Sequence, residues 1–207
     1  MSDPHTSRAV ILLRDGAVVA LPTDTVYGVA ASLAHPSALA ALFDLKRRPG
    51  NVALPVLVDG VAQIEGLGVT WSARAARLSD ALWPGALTIV VPAPVALARR
   101  VGSTGASVGF RCPGDAALRQ LLTHTGPLAV SSANEHGEPP CTTAAEVRAT
   151  FADRPLADVL DGGVRDGAVS TVVELLEGSW RVRREGAVAR DVLAHLLDQE
   201  EGRSGGQ

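Results

Sequence analysis

The sequence predicts an α/β fold with a mixed sheet, in a single domain over residues 1–199 followed by a disordered polar tail over residues 200–207. Short apolar runs rich in Val and Leu alternate along the chain with helix-length segments, which is the pattern of α/β proteins. The last strands are spaced too irregularly for parallel pairing throughout, so some antiparallel pairs are expected. Neither an internal repeat nor a long linker divides the chain, which favours one domain.

The composition narrows the class of protein. Apolar residues make up 46% of the 207 residues but aromatic residues only 3%, so the core must consist mainly of Ala, Val and Leu. A net charge of −3 argues against a surface coated for nucleic acid, and any anion site must therefore be local. No apolar run approaches the ~20 residues of a membrane span. The N-terminus lacks the features of a signal peptide, so we expect a cytoplasmic protein.

Helix caps and strand stops define the elements of the first half. Gly16 is a plausible C-cap for an N-terminal helix, and Pro36 suits the first turn of a helix that ends at Lys46. The expected elements are a helix at 7–15, a strand at 17–21, a helix at 36–46, a strand at 54–58, a short helix at 61–67, a helix capped by Thr70 or Ser72 that ends at Leu82, and a strand at 87–91.

In the second half, turn-rich pieces separate shorter elements. We expect residues 92–105 to form a loop that leaves Arg99 and Arg100 solvated, and a period of two to place Arg181 and Arg183 on one face of a strand with Arg184 on the other. The remaining elements are strands at 107–110, 128–131, 159–160, 171–175 and 180–183, helices at 115–123 and 187–197, a loop at 135–140, and a helix capped by Thr142 or Thr143 that ends near Phe151.

Polar groups follow several of the predicted strands. They are Thr23-Asp24-Thr25, Arg111, Ser132-Ala133-Asn134 and Ser170-Thr171, and the basic run Lys46-Arg47-Arg48 ends a helix. Loops at strand ends converge on one side of a sheet, so these groups can share one pocket. Hydroxyls, an amide, a lysine and arginines together suit an anion with several oxygens. A nucleoside triphosphate, a phosphate ester and a carboxylate all meet that description.

Lys46 is the only lysine among the 19 Lys and Arg residues. An ammonium is a compact charge suited to phosphate oxygens that change during a reaction, whereas arginine suits fixed bidentate contacts. A solvated lysine that complements the dipole at a helix end is the alternative, and the stretch from Leu21 to Leu57 taken alone does not decide between them.

Other common chemistries have no motif in this chain. The sequence contains no GxxxxGK[ST] P-loop, GxGxxG fingerprint, HExxH or CxxC. The two cysteines, Cys112 and Cys141, are expected to be reduced thiols, with a bridge between them left open but not needed. We expect Cys112 to be a small packed residue rather than a thiolate activated by the neighbouring Arg111. His35, His124, His136 and His195 lie in unrelated contexts and are expected to be structural or on the surface.

Six motifs occur in an order that resembles one family: PTDTVYG, KRRP, WPGALT, VGFRCP, SSAN followed by GEPP, and STVVEL followed by RREG. Together they resemble the threonylcarbamoyl-AMP synthase family, the YrdC-like domain in its short bacterial form, from about residue 17 to residue 186. The resemblance implies a twisted α/β sheet around a concave, basic cleft. It also implies the condensation of L-threonine, bicarbonate and ATP, with Mg²⁺, into threonylcarbamoyl-AMP and pyrophosphate. Partner proteins would use the adenylate to modify tRNA, and the chain itself would contact tRNA weakly at most.

The same resemblance assigns roles to individual residues. Lys46 and Arg48 would be catalytic, and Thr23, Tyr27, Arg111 and Ser170 would bind L-threonine. ATP would be bound by Lys46, Arg48, Ser107, Ser132, Asn134 and Arg184, and no residue is assigned to a metal. The chain departs from the family pattern at Leu57, where many members have histidine, and at Val169, where many have glutamate. Two alternatives stay open: a paralogue of the same fold that transfers a carbamoyl or adenylyl group, and an RNA-binding module without chemistry.

Overall fold

The computed structural model describes residues 4–47, 53–135, 137–165, 167 and 169–198. Helices and strands alternate over most of this length, as the sequence predicts. In chain order the elements are α1 (Pro4–Arg14), β1 (Val19–Pro22), β2 (Tyr27–Ser32), α2 (Pro36–Leu45), β3 (Val56–Leu57), α3 (Val61–Glu65), α4 (Ala73–Leu82), β4 (Leu87–Pro92), α5 (Val95–Arg100), β5 (Ser107–Arg111), α6 (Ala116–Thr125), β6 (Leu128–Ser132), α7 (Ala144–Thr150), β7 (Asp158–Val159), β8 (Thr171–Leu176), β9 (Ser179–Arg184) and α8 (Arg190–Leu197).

Over the described residues the strands form one nine-stranded sheet in the order β7-β1-β2-β6-β3-β5-β4-β8-β9. The pairs β1–β7, β3–β5 and β4–β8 are parallel. The pairs β1–β2, β2–β6, β3–β6, β4–β5 and β8–β9 are antiparallel. The predicted mixed sheet is confirmed, and so is the expectation of antiparallel pairing near the C-terminal end. The predicted tail at 200–207 lies outside the described residues.

The sheet has apolar residues packed on both faces. Val18, just before β1, and Ala20 within it belong to the larger core cluster, whereas Val19 and Leu21 belong to the smaller one. This alternation places the two clusters on opposite faces of the sheet. The larger cluster includes Leu42 of α2, and the smaller one includes residues of α1 and α6. None of the described helices has the length and apolar character that crossing a membrane requires.

Strand β2 was not predicted from the sequence, because YGVAAS contains few β-branched or aromatic residues. All six of its residues are buried, and it pairs with β1 on one side and β6 on the other. Gly28 permits the close approach of β6, since a Cβ at this position would lie 2.7 Å from Cγ1 of Val130. Tertiary pairing here overrides the weak local propensity.

The predicted loop at 92–105 is wrong in its middle, where Val95–Arg100 forms α5. Leu97 and Ala98 are buried, so the short helix is stabilised by packing rather than by its length. Arg99 and Arg100 lie in its last turn, and Arg100 donates to the carbonyl oxygen of Leu33 at 3.2 Å. Pro and Gly residues on both sides of α5 are typical of loops, so the sequence did not predict so short a helix.

The predicted helix caps are present where the sequence offered alternatives. Ser72, rather than Thr70, caps α4, with its side chain accepting from the backbone of Ala75. Thr143, rather than Thr142, caps α7 and forms a capping box with Glu146.

Gly186 tests how tightly the backbone after β9 packs against the segment that leads into β8. A Cβ at Gly186 would overlap the carbonyl oxygen of Val169 and the backbone of Ser170, neither of which is a flexible side chain. Gly186→Ala should therefore lower the free energy of unfolding by about 1–3 kcal/mol or more, measured by chemical denaturation.

The matched control is Gly66→Ala. Gly66 has helical backbone angles, φ −60° and ψ −21°, and a Cβ there would make only ordinary contacts at 3.4 and 3.5 Å. This variant should be neutral or more stable by about 0.4–1 kcal/mol, because alanine lowers the entropy of the unfolded chain. Equal stability of the two variants would contradict this prediction and show that the backbone around Gly186 can move to accommodate a Cβ at little cost.

Candidate functional site

The turn after β1 is organised by the side chain of Thr23. Its Oγ1 accepts hydrogen bonds from the backbone N–H groups of Thr25 (3.1 Å) and Val26 (3.2 Å) and donates to the Val26 carbonyl oxygen at 2.7 Å. Thr23 is buried, and its hydroxyl lies 2.9 Å from that of Thr25. Between the paired ends of β1 and β2, these local hydrogen bonds satisfy backbone groups that have no strand partner. They also place Asp24 and Thr25 toward the interior.

Arg111 ends β5 and crosses to this turn. Its Nε donates to the Gly85 carbonyl oxygen at 2.9 Å, one terminal nitrogen donates to Thr25 Oγ1 at 3.2 Å, and the other donates to Asp24 Oδ1 at 2.7 Å. The Arg111 side chain is only 7% exposed. A guanidinium has five N–H donors, so these three bonds leave two that no other described residue engages. The turn thus fixes the plane of the guanidinium and leaves donors for a ligand.

Arg184, at the end of β9, lies across the same space. Its Nε donates to the Ser170 carbonyl oxygen at 3.0 Å and a terminal nitrogen donates to Ser170 Oγ at 2.8 Å, while Thr88 Oγ1 lies 3.2 Å from Ser170 Oγ. Desolvation lowers the pKa of Arg184, and the positive charge of Arg111 lowers it further. Among the described residues no carboxylate pairs with Arg184. Two guanidiniums therefore face one space and favour an anion there.

The first cavity, of about 170 Å³, lies between these groups. All four residues that the sequence assigns to L-threonine line it: Thr23, Tyr27, Arg111 and Ser170. Leu57 and Val169, where the chain departs from the family pattern, line it as well. Both departures therefore replace a polar or charged side chain of many members by an apolar wall in the same cavity.

The second cavity, of about 370 Å³, adjoins the first and shares Pro55, Thr88 and Arg184 with it. Ser107 and Arg184, both assigned to ATP, lie in its wall together with Arg183. Among the described residues that line it, the charged ones are the two arginines, so this cavity too favours an anion. The shared wall places any two ligands of these cavities next to each other.

The prediction that Arg184 lies on the opposite strand face from Arg183 is wrong, because both line the second cavity. The β8–β9 register shifts between Val172 and Val173, which pair with Arg184 and Val182 respectively. Arg183 is the extra residue on β9. A β-bulge of this kind breaks the period of two, and a single sequence does not reveal it.

Lys46 follows α2 and is 3% exposed, which excludes the alternative of a solvated lysine. Its Nζ donates to the Ser132 carbonyl oxygen at 2.7 Å, to Asn134 Oδ1 at 2.7 Å and to the Asn134 carbonyl oxygen. Ser132 Oγ donates to the same Asn134 Oδ1 at 2.7 Å. The structure thus joins three residues assigned to ATP in one cluster, which reaches the first cavity through Ser132. Lys46 and Asn134 line neither cavity, and Arg48 lies outside the described residues.

Tyr27 lines the first cavity, but its hydroxyl is engaged elsewhere. The hydroxyl donates to the Gly163 carbonyl oxygen at 2.8 Å and accepts from the Gly162 N–H at 3.0 Å. Tyr27 therefore fixes the backbone at 162–163, and its hydroxyl already has both a donor and an acceptor partner.

Sequence reasoning missed Thr88, and it placed Asp24 and Thr25 among the pocket's polar groups without giving either a role. Asp24 and Thr25 lie inside the PTDTVYG motif, and the need of a buried Arg111 for an acidic partner was the signal that could have identified Asp24. Thr88 gives no such signal, because it lies within the apolar strand β4.

The cysteines carry no reactive chemistry here. Cys112 and Cys141 are buried free thiols, so the bridge left open by the sequence is not formed. Burial raises the pKa of both thiols, which confirms Cys112 as a packed residue rather than an activated thiolate.

The described residues include no group of three or more His, Cys, Asp or Glu side chains that could hold a metal ion. Asp24 is the carboxylate nearest the first cavity among the site residues described above, and it is committed to Arg111. Mg²⁺ is usually bound through one or two carboxylates and substrate phosphates. The described protein groups therefore do not form a Mg²⁺ site by themselves.

The fold and the site define the class: an α/β protein with a mixed sheet and two adjoining cavities, each of which has arginine side chains in its lining. The Sua5/YciO/YrdC family model, described as "Telomere recombination", matches residues 11–186. The chain belongs to this family.

Relatives and solved structures agree with this membership. A provisionally named threonylcarbamoyl-AMP synthase of Mycobacterium tuberculosis is 38% identical over 190 residues, which cover 91% of this chain and 87% of that protein. The threonylcarbamoyl-AMP synthase of Bacillus subtilis is 34% identical over 199 residues, or 95% of this chain and 57% of that protein. The crystal structure of P. abyssi Sua5 complexed with L-threonine superposes with a TM-score of 0.87 at 29% identity, covering 93% of this chain and 57% of that one. This chain therefore spans somewhat more than half of the Sua5 protein.

Proposed function

We propose that this protein is an L-threonylcarbamoyladenylate synthase, a nucleotidyltransferase that converts L-threonine, bicarbonate and ATP into threonylcarbamoyl-AMP, pyrophosphate and water. The observation that carries the proposal is the shared wall of the two cavities. The four residues assigned to threonine line one cavity together with Ser132, which is assigned to ATP. Ser107, also assigned to ATP, lines the other cavity, and Arg184 belongs to both. The names of the relatives in Mycobacterium and Bacillus support the same activity. We further infer that the two cavities are parts of one basic cleft.

The threonine carboxylate is assigned to Arg111. Its two remaining N–H donors can take a carboxylate, and charge-assisted bonds of this kind are among the strongest available to a protein. Asp24, Thr25 and Gly85 hold the guanidinium in place before the ligand arrives. Ser170 and Thr88 provide hydroxyls on the opposite wall for the polar groups of the amino acid. Thr23 acts through the turn that it builds, since its own hydroxyl is engaged there.

The nucleotide phosphates are assigned to Arg184, Ser107 and the cluster of Lys46, Ser132 and Asn134, with Arg48 completing the set. Lys46 presents its ammonium to three oxygens of the 132–134 segment. Phosphate oxygens would take the place of some of these acceptors when ATP binds. Positive charge held there in advance stabilises charge that develops on the α-phosphate as pyrophosphate leaves.

The reaction needs no nucleophile from the protein. The amine of threonine attacks the carbon of bicarbonate, and loss of water leaves a carbamate. A carbamate oxygen then attacks the α-phosphorus, and the bond to pyrophosphate breaks. Holding the amino acid and the nucleotide in adjoining cavities is the main catalytic effect, worth up to about 7–11 kcal/mol in favourable model systems. Mg²⁺ would be carried by the ATP phosphates.

The product is a mixed anhydride that other proteins would use to modify tRNA, so we place the protein in the cytoplasm with tRNA-modification proteins as partners. Weak tRNA contact belongs to the same proposal, since the net charge of −3 supports no stronger binding.

The proposal is tested by following pyrophosphate release with ATP, Mg²⁺ and bicarbonate, with and without L-threonine. We expect release to depend on L-threonine, with L-serine a poor substitute. Release that is indifferent to threonine would contradict the proposal and favour a paralogue that acts on another substrate. Salt-sensitive RNA binding with no turnover of ATP would favour the RNA-binding module.

A further inference from the structure

The bulge on β9 turns a second arginine toward the second cavity. Arg183 has no partner in the β8–β9 register, because Val172 pairs with Arg184 and Val173 pairs with Val182. Arg183 therefore lines this cavity beside Arg184. The known pattern of motifs gives no role to Arg183, and neither the turn at Thr23 nor the Lys46 cluster uses it.

Glu174 fixes the direction of Arg183. The Glu174 carboxylate is 7% exposed, and it accepts from Arg183 Nε at 2.8 Å and from one terminal nitrogen of Arg183. Arg181 binds the same carboxylate through its Nε. The hydrogen bond from Arg183 is the largest cause of the lowered pKa of Glu174. The lowered pKa favours the ionised carboxylate, which is the form that binds Arg183. Because Nε and one terminal nitrogen of the Arg183 guanidinium bind Glu174, the other terminal nitrogen points away from the carboxylate.

The surroundings of Arg183 suit an anion with several oxygens. The described residues that line the second cavity include Thr88, Ser103, Ser107 and the two arginines, and none of them is acidic. Glu174 contacts Arg183 from outside that lining. Arg181 shares Glu174 but does not line the cavity, and its side chain is 60% exposed against 46% for Arg183.

We infer that Arg183 is a further contact for the phosphates of the nucleotide, and that Glu174 is the positioning residue that holds it at the cavity wall. This inference rests on the proposed function, since it takes ATP as the ligand of the second cavity. Arg183 would then act beside Arg184, so that two adjacent guanidiniums meet phosphate oxygens from one strand.

Arg181 supplies a matched control, because Arg183→Ala and Arg181→Ala remove the same charge from the same carboxylate. The measurement is calorimetric binding of α,β-methylene-ATP, an analogue that cannot release pyrophosphate, and of adenosine. We expect Arg183→Ala to weaken the analogue at least tenfold and to leave adenosine within twofold. Arg181→Ala should leave both within twofold. The KM for L-threonine should stay within twofold in both variants.

Glu174→Gln distinguishes positioning from simple stabilisation. It should weaken the analogue in the wild-type background but have no further effect when combined with Arg183→Ala. Equal loss of binding in the Arg181 and Arg183 variants, or an additive effect of Glu174→Gln, would overturn the inference and leave the proposed function standing. A wild-type protein that binds neither nucleotide nor analogue would overturn both.

Discussion

Lys46→Ala should abolish measurable threonine-dependent release of pyrophosphate, with kcat lower by at least about 10²–10³-fold, the loss typical of removing one preorganised donor for developing charge. Lys46 is the only lysine of the chain and is buried against the 132–134 segment that carries Ser132 and Asn134. Lys46→Arg should not restore activity, because a planar fork cannot place three bonds on one nitrogen as an ammonium does. Steady-state kinetics at saturating ATP, threonine and bicarbonate measures the change.

Arg154→Ala is the matched control for Lys46→Ala. Arg154 donates to the Leu45 carbonyl oxygen at 2.9 Å and pairs with Glu135, so it supports the same segments with one positive charge. It lines neither cavity. Its loss should lower stability while kcat stays within about threefold. Both variants should unfold cooperatively by circular dichroism. Full activity of a folded Lys46→Ala protein would remove Lys46 from the reaction.

Arg111→Lys should raise the KM for L-threonine by about 10–100-fold, while the KM for ATP stays within about threefold. A lysine keeps the charge but cannot reach Gly85, Thr25 and Asp24 together and still offer two parallel donors. The expected factor corresponds to the ~1.5–3 kcal/mol of a hydrogen bond to a charged group. Initial rates with varied threonine at fixed ATP, and the converse series, measure the two constants.

Arg165→Lys provides a comparable change elsewhere in the fold. Arg165 pairs with Asp115 at 3.1 Å, with side chains 21% and 14% exposed, and it lines neither of the two cavities. Its threonine KM should match that of the wild type. A threonine KM that rises equally in both variants would show that loss of a buried pair, rather than loss of a carboxylate ligand, explains the effect of Arg111→Lys.

Features encoded by neighbouring residues were predictable from the sequence. Pro36 and the apolar spacing after it define α2 and hence the place of Lys46, and Thr143 with Glu146 defines the start of α7. The residues assigned to threonine also line one cavity, since each lies at or beside the end of a strand, where loops meet.

Features that depend on distant partners were not predictable. Strand β2 exists because it lies between β1 and β6, and the bulge that turns Arg183 and Arg184 into one cavity arises from pairing with β8. The role of Asp24 depends on Arg111, which lies far along the chain and crosses to pair with it. The acceptors of Lys46 are likewise contributed by a segment more than 80 residues away. In each case contacts between residues distant in the sequence decide the structure, and local propensity does not reveal such contacts.

The most direct measurement follows the carbon of bicarbonate into the product. The protein is incubated with ATP, Mg²⁺, L-threonine and ¹³C-bicarbonate, and the AMP-linked product is analysed by mass spectrometry. If the two cavities hold the amino acid and the nucleotide side by side for attack by a carbamate, the product is threonylcarbamoyl-AMP carrying one ¹³C atom. An unlabelled threonyl-AMP, or pyrophosphate release without any threonine-containing nucleotide, would contradict the proposal.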